Sequence, residues 1–345
     1  MAEWILHVDL DQFQAAVEVL RRPDLRGLPL IVGGNGDPTE PRKVVTCASY
    51  EARTFGVRAG MPLRTAARRC PDAVFLPLDV AAYESASAQV MATLRGFPVE
   101  VEVWGWDEAF VGAITEDPEA LARDVQIAVG EATGLICSVG VGDSKQRAKL
   151  ATGFAKPAGV SRLDQDNWMP VMGERGTEAL WGIGRRTATK LADRGLTTVG
   201  QLAAADPDVL ADWFGPTTGP WLRQLALGTG STRVSSAPRV ARSRSHVITF
   251  PRDLTDRADI EQRLDEIARE LTGEVVAAGR TVRRVAVVVR TATFFTRTRI
   301  TTLPAPSQDG ADVARAAVAL LERFELTRPV RLLGVRVEFP DAASR

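Results

Sequence analysis

Residues 4–20 of the chain read WILHVDLDQFQAAVEVL, an apolar run followed by a helical pattern. The segment Trp4–Asp9 has the character of a short buried strand, and Phe13–Leu20 has the apolar spacing of a helix. Asp9 and Asp11 therefore lie at the carboxyl end of a strand, a common location for chemistry. The pattern predicts a strand, a turn that carries carboxylates and a helix, in that order.

Strands and helices continue to alternate up to about residue 165, which indicates an α/β or α+β domain. The stretches at 49–55, 62–69 and 144–155 have helical patterns. The predicted strands lie at 30–33, 44–47, 101–104, 109–112 and 136–141.

The second half of the chain changes character twice. From Trp168 to about Leu227 the pattern is helical and in short pieces, and a loop rich in Ser, Pro and Arg follows at 228–245. The remainder has the order strand, helix, strand, strand, helix, strand, which is the split-βαβ arrangement. These elements are predicted at 246–250, 256–277, 282–291, 296–302, 310–324 and 331–339.

The composition is that of a soluble globular protein. The 345 residues are 45% hydrophobic and 25% charged, and this length suggests two to four domains. No apolar window is long enough to span a membrane, and the first residues lack the basic leader of a secretory signal. Cys47, Cys70 and Cys137 are far apart and odd in number, which favours reduced thiols in the cytoplasm over disulfides or a zinc site.

The formal net charge of zero is unevenly distributed. Residues 1–165 carry −5, residues 166–237 carry 0 and residues 238–345 carry +5. All 19 basic residues of the last segment are arginine, which suits bidentate phosphate contacts, although a GC-rich genome would also favour arginine codons. A neutral total therefore does not exclude nucleic acid as a partner.

Four carboxylates stand beside predicted buried strands, namely Asp9, Asp11, Asp107 and Glu108. An ionised carboxylate in such a place is costly unless it is paired or binds a metal. A cluster of oxygen ligands selects hard cations such as Mg²⁺ or Mn²⁺, and two such ions support in-line phosphoryl transfer. Spacing alone does not choose between Asp9 and Asp11, and solvated turn carboxylates are the plainer alternative.

Other residues have the chemistry to bind phosphate. Tyr50 and Arg53 are three apart on one helical face, and Lys156 stands where a predicted helix ends. Gly182 and Gly184 open a helix whose free N–H groups would bind a DNA phosphate.

Four arginines form a candidate track for a DNA backbone. Arg297 and Arg299 alternate with threonines along a predicted strand and therefore share one face of it. With Arg242 and Arg244 of the preceding loop they would follow the phosphates of a duplex. A solvated sheet face is the alternative interpretation.

As a set, the motifs resemble those of the Y-family DNA polymerases, in the DinB or DNA polymerase IV branch. They occur in the family's order and spacing over essentially the whole chain. The matching strings are HVDLDQF at 7–13, YEAR at 50–53, WDEAF at 106–110, CSVG at 137–140, FAKP at 154–157 and WGIG at 181–184.

The resemblance implies a right-handed α+β polymerase of several domains. A ferredoxin-like palm would occupy 1–166, with small fingers inserted at about 20–78. A helical thumb with a helix-hairpin-helix would occupy 167–232, followed by a linker at 233–245 and a split-βαβ little finger at 246–340.

The resemblance also implies roles for individual residues. Asp9 and Asp107 would bridge two Mg²⁺ or Mn²⁺ ions, the carbonyl of Leu10 would complete one site, and Glu108 would hold the primer-side ion. Asp11 would be a structural neighbour. The nucleotide-binding residues would be Phe13, Gln14, Cys47, Tyr50, Arg53 and Lys156, with the last three gripping the triphosphate.

The chain departs from the family pattern at two positions. Gln14 stands where most members carry a large aromatic residue that blocks the 2′-hydroxyl of a ribonucleotide. Because Gln is narrower and its amide can hydrogen-bond a hydroxyl, we expect weakened sugar discrimination; the alternative is that the amide fills the same space. Cys47 stands where relatives often place Thr near the γ-phosphate, so that contact would fall to the backbone.

The expected activity is template-directed DNA synthesis of the translesion type, with low fidelity and no proofreading. The expected partners are primer-template DNA, dNTPs and also rNTPs, and the chain is expected to be a cytoplasmic monomer. Residues 338–345 carry no recognisable sliding-clamp peptide, and His7 and His246 are expected to be structural. The alternatives are another palm-type nucleotidyltransferase and a non-catalytic DNA-binding scaffold.

Overall fold

A computed structural model describes residues 2–238 and 240–340. The last five residues of the segment without a clamp peptide therefore lie outside the described residues. Within the described ranges, every helix is too short or too polar to cross a membrane.

The chain forms two compact units. Unit 1 comprises residues 1–39 and 43–237, and unit 2 comprises residues 40–42 and 238–345. The main division, after residue 237, falls inside the predicted linker. Palm, fingers, thumb and little finger remain predicted names for parts of these units.

The strands and helices of unit 1 alternate as the sequence predicts. The strands are β1 (Ala2–Leu10), β2 (Leu30–Val32), β3 (Cys47–Ala48), β4 (Val74–Leu76), β5 (Glu100–Val103), β6 (Glu108–Thr115), β7 (Cys137–Gly142) and β8 (Val160–Leu163). The helices are α1 (Phe13–Arg21), α2 (Tyr50–Thr54), α3 (Leu63–Arg69), α4 (Val80–Arg95), α5 (Pro118–Thr133), α6 (Lys145–Ala155), α7 (Trp168–Met172), α8 (Arg185–Ala192), α9 (Val199–Ala204), α10 (Pro207–Phe214) and α11 (Thr218–Ala226).

A five-stranded sheet forms the centre of unit 1, in the order β5-β6-β1-β7-β8. Because side chains alternate along a strand, Leu6, Val8 and Leu10 of β1 face one side, where α4 and α5 complete the main apolar core. His7 and Asp9 face the other side, which α6 covers. The sequence patterns did not predict α4, α5, β4 or β8.

Close packing of α6 on the sheet depends on two glycines of β7. A Cβ built on Gly140 would lie 2.1 Å from the Ala148 carbonyl oxygen, and one on Gly142 would lie 2.5 Å from the Ala148 nitrogen. Only glycine permits so close an approach. The helix therefore brings its lysines over the face of the sheet that carries Asp9.

A second, small sheet in unit 1 has the order β3-β2-β4 and packs with α2 and α3 on its own apolar core. The predicted strand at 44–47 is wrong in its bounds, since β3 contains only Cys47 and Ala48. Val44 is bridged instead to Pro62 outside any strand. The helices α7–α11 share a third core, in agreement with the helical pattern predicted from Trp168 onward.

Unit 2 has the predicted split-βαβ order. Its elements are β9 (Ser243–Leu254), α12 (Arg257–Ala277), β10 (Val282–Thr291), β11 (Thr296–Ser307), α13 (Gly310–Ala319) and β12 (Val330–Glu338). The antiparallel sheet has the order β11-β10-β12-β9, with α12 and α13 packed on one face. The predicted linker end at residue 245 is wrong, because β9 already begins at Ser243 and pairs there with Glu338 of β12.

Candidate active site

The register of the central sheet brings the predicted carboxylates together. Asp9 on β1 lies directly opposite Glu108, the first residue of β6. The Leu10 N–H donates to the Asp107 carbonyl at 2.8 Å, which fixes the turn before β6. Ligand atoms of His7, Asp9 and Glu108 lie within 4.8 Å of one another. Cross-strand pairing therefore builds the cluster from residues almost 100 positions apart.

Two lysines of the α6 region meet these carboxylates. Lys156, which caps the carboxyl end of α6, contacts the Asp9 carboxylate, and Lys149 contacts Glu108. His7 Nε2 also lies 3.2 Å from a Glu108 oxygen. The hydrogen bond with His7, followed by the Lys149 ammonium, lowers the pKa of Glu108 to about 2, so this carboxylate is ionised at neutral pH.

The pKa of Asp107 is shifted in the direction opposite to that of Glu108. The surrounding protein raises its pKa, and the negative charge of nearby Asp9 raises it further. Three carboxylates and the adjacent backbone offer oxygen donors, which Mg²⁺ and Mn²⁺ prefer, while the His7 ring nitrogen beside them is engaged with Glu108. The residues thus fit a hard divalent cation, whose charge would relieve the crowding around Asp107.

Asp11 is built differently from Asp9. Its side chain is 4% exposed and accepts hydrogen bonds from the Tyr50 hydroxyl at 2.9 Å, the Ser138 hydroxyl at 3.0 Å and the Ala158 N–H at 2.7 Å. A carboxylate with its oxygens already engaged is a poor candidate for a metal ligand. The geometry therefore favours Asp9 as the ligand and gives Asp11 the task of orienting Tyr50.

A cavity of about 540 Å³ opens beside the carboxylates. Its wall includes eight of the residues predicted for the site: Asp9, Leu10, Phe13, Gln14, Cys47, Arg53, Asp107 and Lys156. Six further residues of the wall were not predicted: Gln12, Thr46, Ala48, Arg58, Ala59 and Trp106. We call the part formed by Asp9, Asp107 and Lys156 the carboxylate side and the part formed by Phe13, Gln14 and Thr46 the sugar side.

Tyr50 and Arg53 adjoin one another, as their spacing predicts. The Arg53 guanidinium lies 4.8 Å from the centre of the Tyr50 ring, and its Nε donates to the Ala48 carbonyl at 2.9 Å. Tyr50 lies behind the cavity wall, where its hydroxyl bonds Asp11 and its backbone N–H donates to the Gln12 side chain at 2.6 Å. The two residues form one fixed group with their cationic end toward the cavity.

Both residues that depart from the family pattern line the cavity, Gln14 on the sugar side and Cys47 next to Thr46 in the chain. The Thr46 hydroxyl donates to the Gln14 side-chain oxygen at 2.7 Å. Cys47 is buried, and burial raises the pKa of its thiol, so it is neutral at physiological pH. The partnership of Thr46 with Gln14 has no signal in the sequence, because the two are 32 positions apart and meet only through the fold.

The predicted DNA-contacting glycines lie at the amino end of α8. Gly182 has a φ of +104°, which glycine adopts without strain, and Gly184 is the N-cap of α8 with no side chain to cap it. A Cβ built on Gly184 would meet nothing within 4 Å. The first N–H groups of the helix thus remain accessible to an external acceptor.

The four predicted arginines of unit 2 lie in two pairs at opposite edges of the sheet. Arg242 precedes β9 and Arg244 lies on it, whereas Arg297 and Arg299 lie on β11, at the opposite edge of the sheet. Three strand spacings, about 14 Å, separate the two edges. Arg244 is paired with Glu274 of α12 at 2.8 Å, while Arg297 stacks on Phe295.

Two family models match the chain. Residues 8–153 match the impB/mucB/samB family, and residues 241–344 match the C-terminal domain of that family. Among individual proteins, the DNA polymerase IV 2 of Mycobacterium tuberculosis is 59% identical over 338 residues, covering 97% of each chain.

Solved structures agree with the sequence matches. A Y-family DNA polymerase chimera, Dbh-Dpo4(243-245)-Dbh, superimposes with a TM-score of 0.85 at 26% identity, covering 97% of this chain and 98% of the other. An insertion ternary complex of Dbh DNA polymerase gives a TM-score of 0.64 at 25% identity with the same coverage.

The sheet topology, the carboxylate cluster on the central sheet of unit 1 and these matches together define the class as the DNA polymerases. The chain belongs to the impB/mucB/samB family, the Y-family DNA polymerases of the DNA polymerase IV branch.

Proposed function

We propose that the chain adds nucleotides to a primer 3′-hydroxyl on a DNA template, as a translesion polymerase of low fidelity without proofreading. One observation carries this proposal: Asp9 and Asp107 line the same cavity as Arg53 and Lys156, and Glu108 lies directly opposite Asp9 on the neighbouring strand. Negative groups for cations and positive groups for a triphosphate then stand in one site, as in-line phosphoryl transfer requires.

Mg²⁺ or Mn²⁺, two ions per site, would be held by Asp9, Asp107, Glu108 and the Leu10 carbonyl, and when bound would activate the 3′-hydroxyl and offset phosphate charge. The ionised Glu108 needs no deprotonation before it serves as a ligand. Burial and the negative charge of Asp9 raise the pKa of Asp107, and a bound cation would offset that charge and favour the ionised form of Asp107.

The protein itself would position the nucleotide. Arg53, held over Tyr50, and Lys156 at the end of α6 would bind the phosphate oxygens, and Phe13 would pack against the nucleotide. Lys156 contacts Asp9, so it would exchange one anionic partner for another when it binds a triphosphate. Catalysis by such a site consists mostly of positioning and charge neutralisation.

Primer-template DNA would be bound through its phosphates by backbone N–H groups at Gly182 and Gly184 and by arginines of unit 2. Arg297 and Arg299 are the better candidates there, because Arg244 already has a carboxylate partner. Monomeric action in the cytoplasm, without a recognisable clamp peptide, remains our prediction.

We further propose that ribonucleotides are accepted. At the sugar side the wall carries the narrow side chain of Gln14, where the family usually places an aromatic ring. Matched dNTP and rNTP insertion measures this directly. A dNTP preference as strong as that of an enzyme with an aromatic gate overturns the proposal.

Primer extension with Asp107→Ala tests the catalytic proposal. The matched control is Asp124→Ala, which removes an exposed carboxylate from α5, on the sheet face opposite the site. We expect template-directed extension by wild type and the control, and none by Asp107→Ala.

Two other results would identify the alternatives. Nucleotide turnover without a template indicates another palm-type nucleotidyltransferase. DNA binding without any extension indicates a scaffold. Unchanged extension by Asp107→Ala overturns the assignment of the metal-binding carboxylates.

A further inference from the structure

Gln14 has a specific partner in the cavity wall. Gln14 lies in the first turn of α1, and Thr46 comes immediately before β3. The Thr46 backbone is fixed, because its N–H donates to the Val32 carbonyl of β2 at 2.8 Å. Its hydroxyl lies 2.7 Å from the Gln14 oxygen. The backbone just before β3, hydrogen-bonded to β2, therefore anchors the tip of a side chain that would otherwise rotate freely about three bonds.

The hydroxyl of Thr46 has two acceptors and a single hydrogen. The Val32 carbonyl lies 3.0 Å from it, and the Gln14 side-chain oxygen lies 2.7 Å from it. If the hydrogen goes to Gln14, the free part of the amide is its NH₂ group, a donor. If the hydrogen goes to Val32, the hydroxyl accepts from that NH₂ group and the amide carbonyl, an acceptor, becomes free. The pair has two hydrogen-bonded arrangements that differ only by an amide flip.

These arrangements match the chemistry of a ribose. A 2′-hydroxyl both donates and accepts hydrogen bonds, whereas a deoxyribose offers neither at that carbon. An amide held at its far end by Thr46 stays against the wall and still presents a donor or an acceptor to the cavity. Without Thr46 the amide loses its anchor and is free to extend into the cavity and block the sugar.

We propose that Thr46 is a second sugar-specificity residue, which holds Gln14 in a position that admits and hydrogen-bonds the 2′-hydroxyl of a ribonucleoside triphosphate. Thr46 acts through Gln14 and is therefore a positioning residue. This inference rests on the proposed polymerase function and on its acceptance of ribonucleotides.

The test is the Thr46→Val substitution, which keeps the shape of the side chain and removes its hydroxyl. The measured quantity is the ratio of kcat/KM for rNTP to that for dNTP in single-nucleotide insertion, with all four templating bases. Loss of one hydrogen bond and its anchoring should lower this ratio about 3- to 10-fold. Thr46→Ser retains the hydroxyl and should retain the wild-type ratio.

Two further comparisons separate positioning from general damage. Thr93→Val is the matched control, because its hydroxyl bonds the Gln89 carbonyl of its own helix, and it should leave the ratio unchanged. In a Gln14→Leu background, Thr46→Val should have no further effect, since the amide that it positions is gone.

Nucleotides with altered 2′ groups distinguish a hydrogen-bonding role of the Gln14–Thr46 pair from a purely steric one. A 2′-fluoro group is small, cannot donate a hydrogen bond and accepts one only weakly, so Thr46→Val should reduce insertion of the 2′-fluoro nucleotide less than insertion of the ribonucleotide. Equal losses for both would overturn the hydrogen-bonding role.

The outcomes also distinguish this inference from the function on which it rests. A wild type that accepts ribonucleotides, with a Thr46→Val ratio within about 2-fold of wild type, contradicts the role of Thr46 alone. A wild type that rejects ribonucleotides contradicts both the acceptance proposed above and this role. A wild type that extends no primer contradicts the polymerase function itself.

Discussion

The carboxylate side and the sugar side of the cavity differ in how their functional atoms are held. On the carboxylate side, Asp9 contacts Lys156, and the neighbouring Glu108 contacts Lys149 and His7. On the sugar side, one hydrogen bond between neutral groups joins Gln14 to Thr46. Charge-assisted contacts are roughly twice as strong as neutral ones. The carboxylates are therefore held by strong, charge-assisted contacts, whereas the side chain that faces the sugar is held by one weaker hydrogen bond.

The largest expected effect comes from removing a charge on the carboxylate side. Asp9→Ala should lower kcat/KM for nucleotide insertion by roughly 1,000-fold, because it removes a cation ligand worth several kcal/mol in the transition state. Single-turnover insertion measures the loss. A variant that keeps more than a tenth of wild-type efficiency contradicts the role given to Asp9.

Asp9 and Asp11 both lie at the carboxyl end of β1, but we expect their removal to affect stability differently. Asp11→Ala leaves the donors of Tyr50, Ser138 and Ala158 without their acceptor and should lower the free energy of unfolding of unit 1 by about 2–4 kcal/mol. Asp9→Ala should change that free energy by less than about 1 kcal/mol, since its ion pair is partly exposed. Urea denaturation measures both, and the reverse order would show that the two roles are exchanged.

The Glu108 carboxylate should affect how the free energy of unfolding depends on pH in acid, when this is measured without metal ions. Its folded pKa, about 2, lies below the ordinary value of 4.5, so it stabilises the fold above about pH 4.5 and loses that contribution as the pH falls toward 2. The difference in unfolding free energy between wild type and Glu108→Gln should therefore shrink between pH 4.5 and pH 2. A difference that stays constant over this range contradicts the contacts with His7 and Lys149.

The smallest expected effect lies in unit 2. Arg297→Ala should weaken binding of primer-template DNA several-fold. It should also reduce the slope of log affinity against log salt concentration by about 1, the value for one lost phosphate contact. Arg244→Ala should change both less, because Arg244 already pairs with Glu274. Fluorescence anisotropy at several salt concentrations compares the DNA affinities of the two variants. Equal effects would show that Arg244 contacts DNA as much as Arg297 does.

Much of the fold could be predicted because its patterns are local. The strand before Asp9 and the split-βαβ order of unit 2 both follow from apolar periodicity. The helix α4 was not predicted; its core contacts include Tyr83, whose hydroxyl bonds Glu18 of α1, so polar tertiary contacts obscure the pattern. The edge positions of β9 and β11 depend on strand order, which the linear sequence does not state.

In the candidate site, too, residues within local motifs could be predicted, whereas contacts between distant residues could not. Asp9, Asp107 and Glu108 could be predicted because motifs mark them, whereas the partners that hold them could not. His7 was expected to be structural, and it does bond Thr152 in the interior, but it also contacts Glu108. Lys149 and Thr46 contact residues 41 and 32 positions away, namely Glu108 and Gln14, and only the folded chain brings each pair together.

The most direct test of the central claim is templated single-nucleotide insertion by wild type and Asp9→Ala, measured after chelation and again after Mg²⁺ is restored. We expect wild type to insert the nucleotide complementary to each templating base only when Mg²⁺ is present, and Asp9→Ala to insert it far more slowly or not at all. Insertion that ignores the template, survives chelation or is unchanged by Asp9→Ala would contradict that claim.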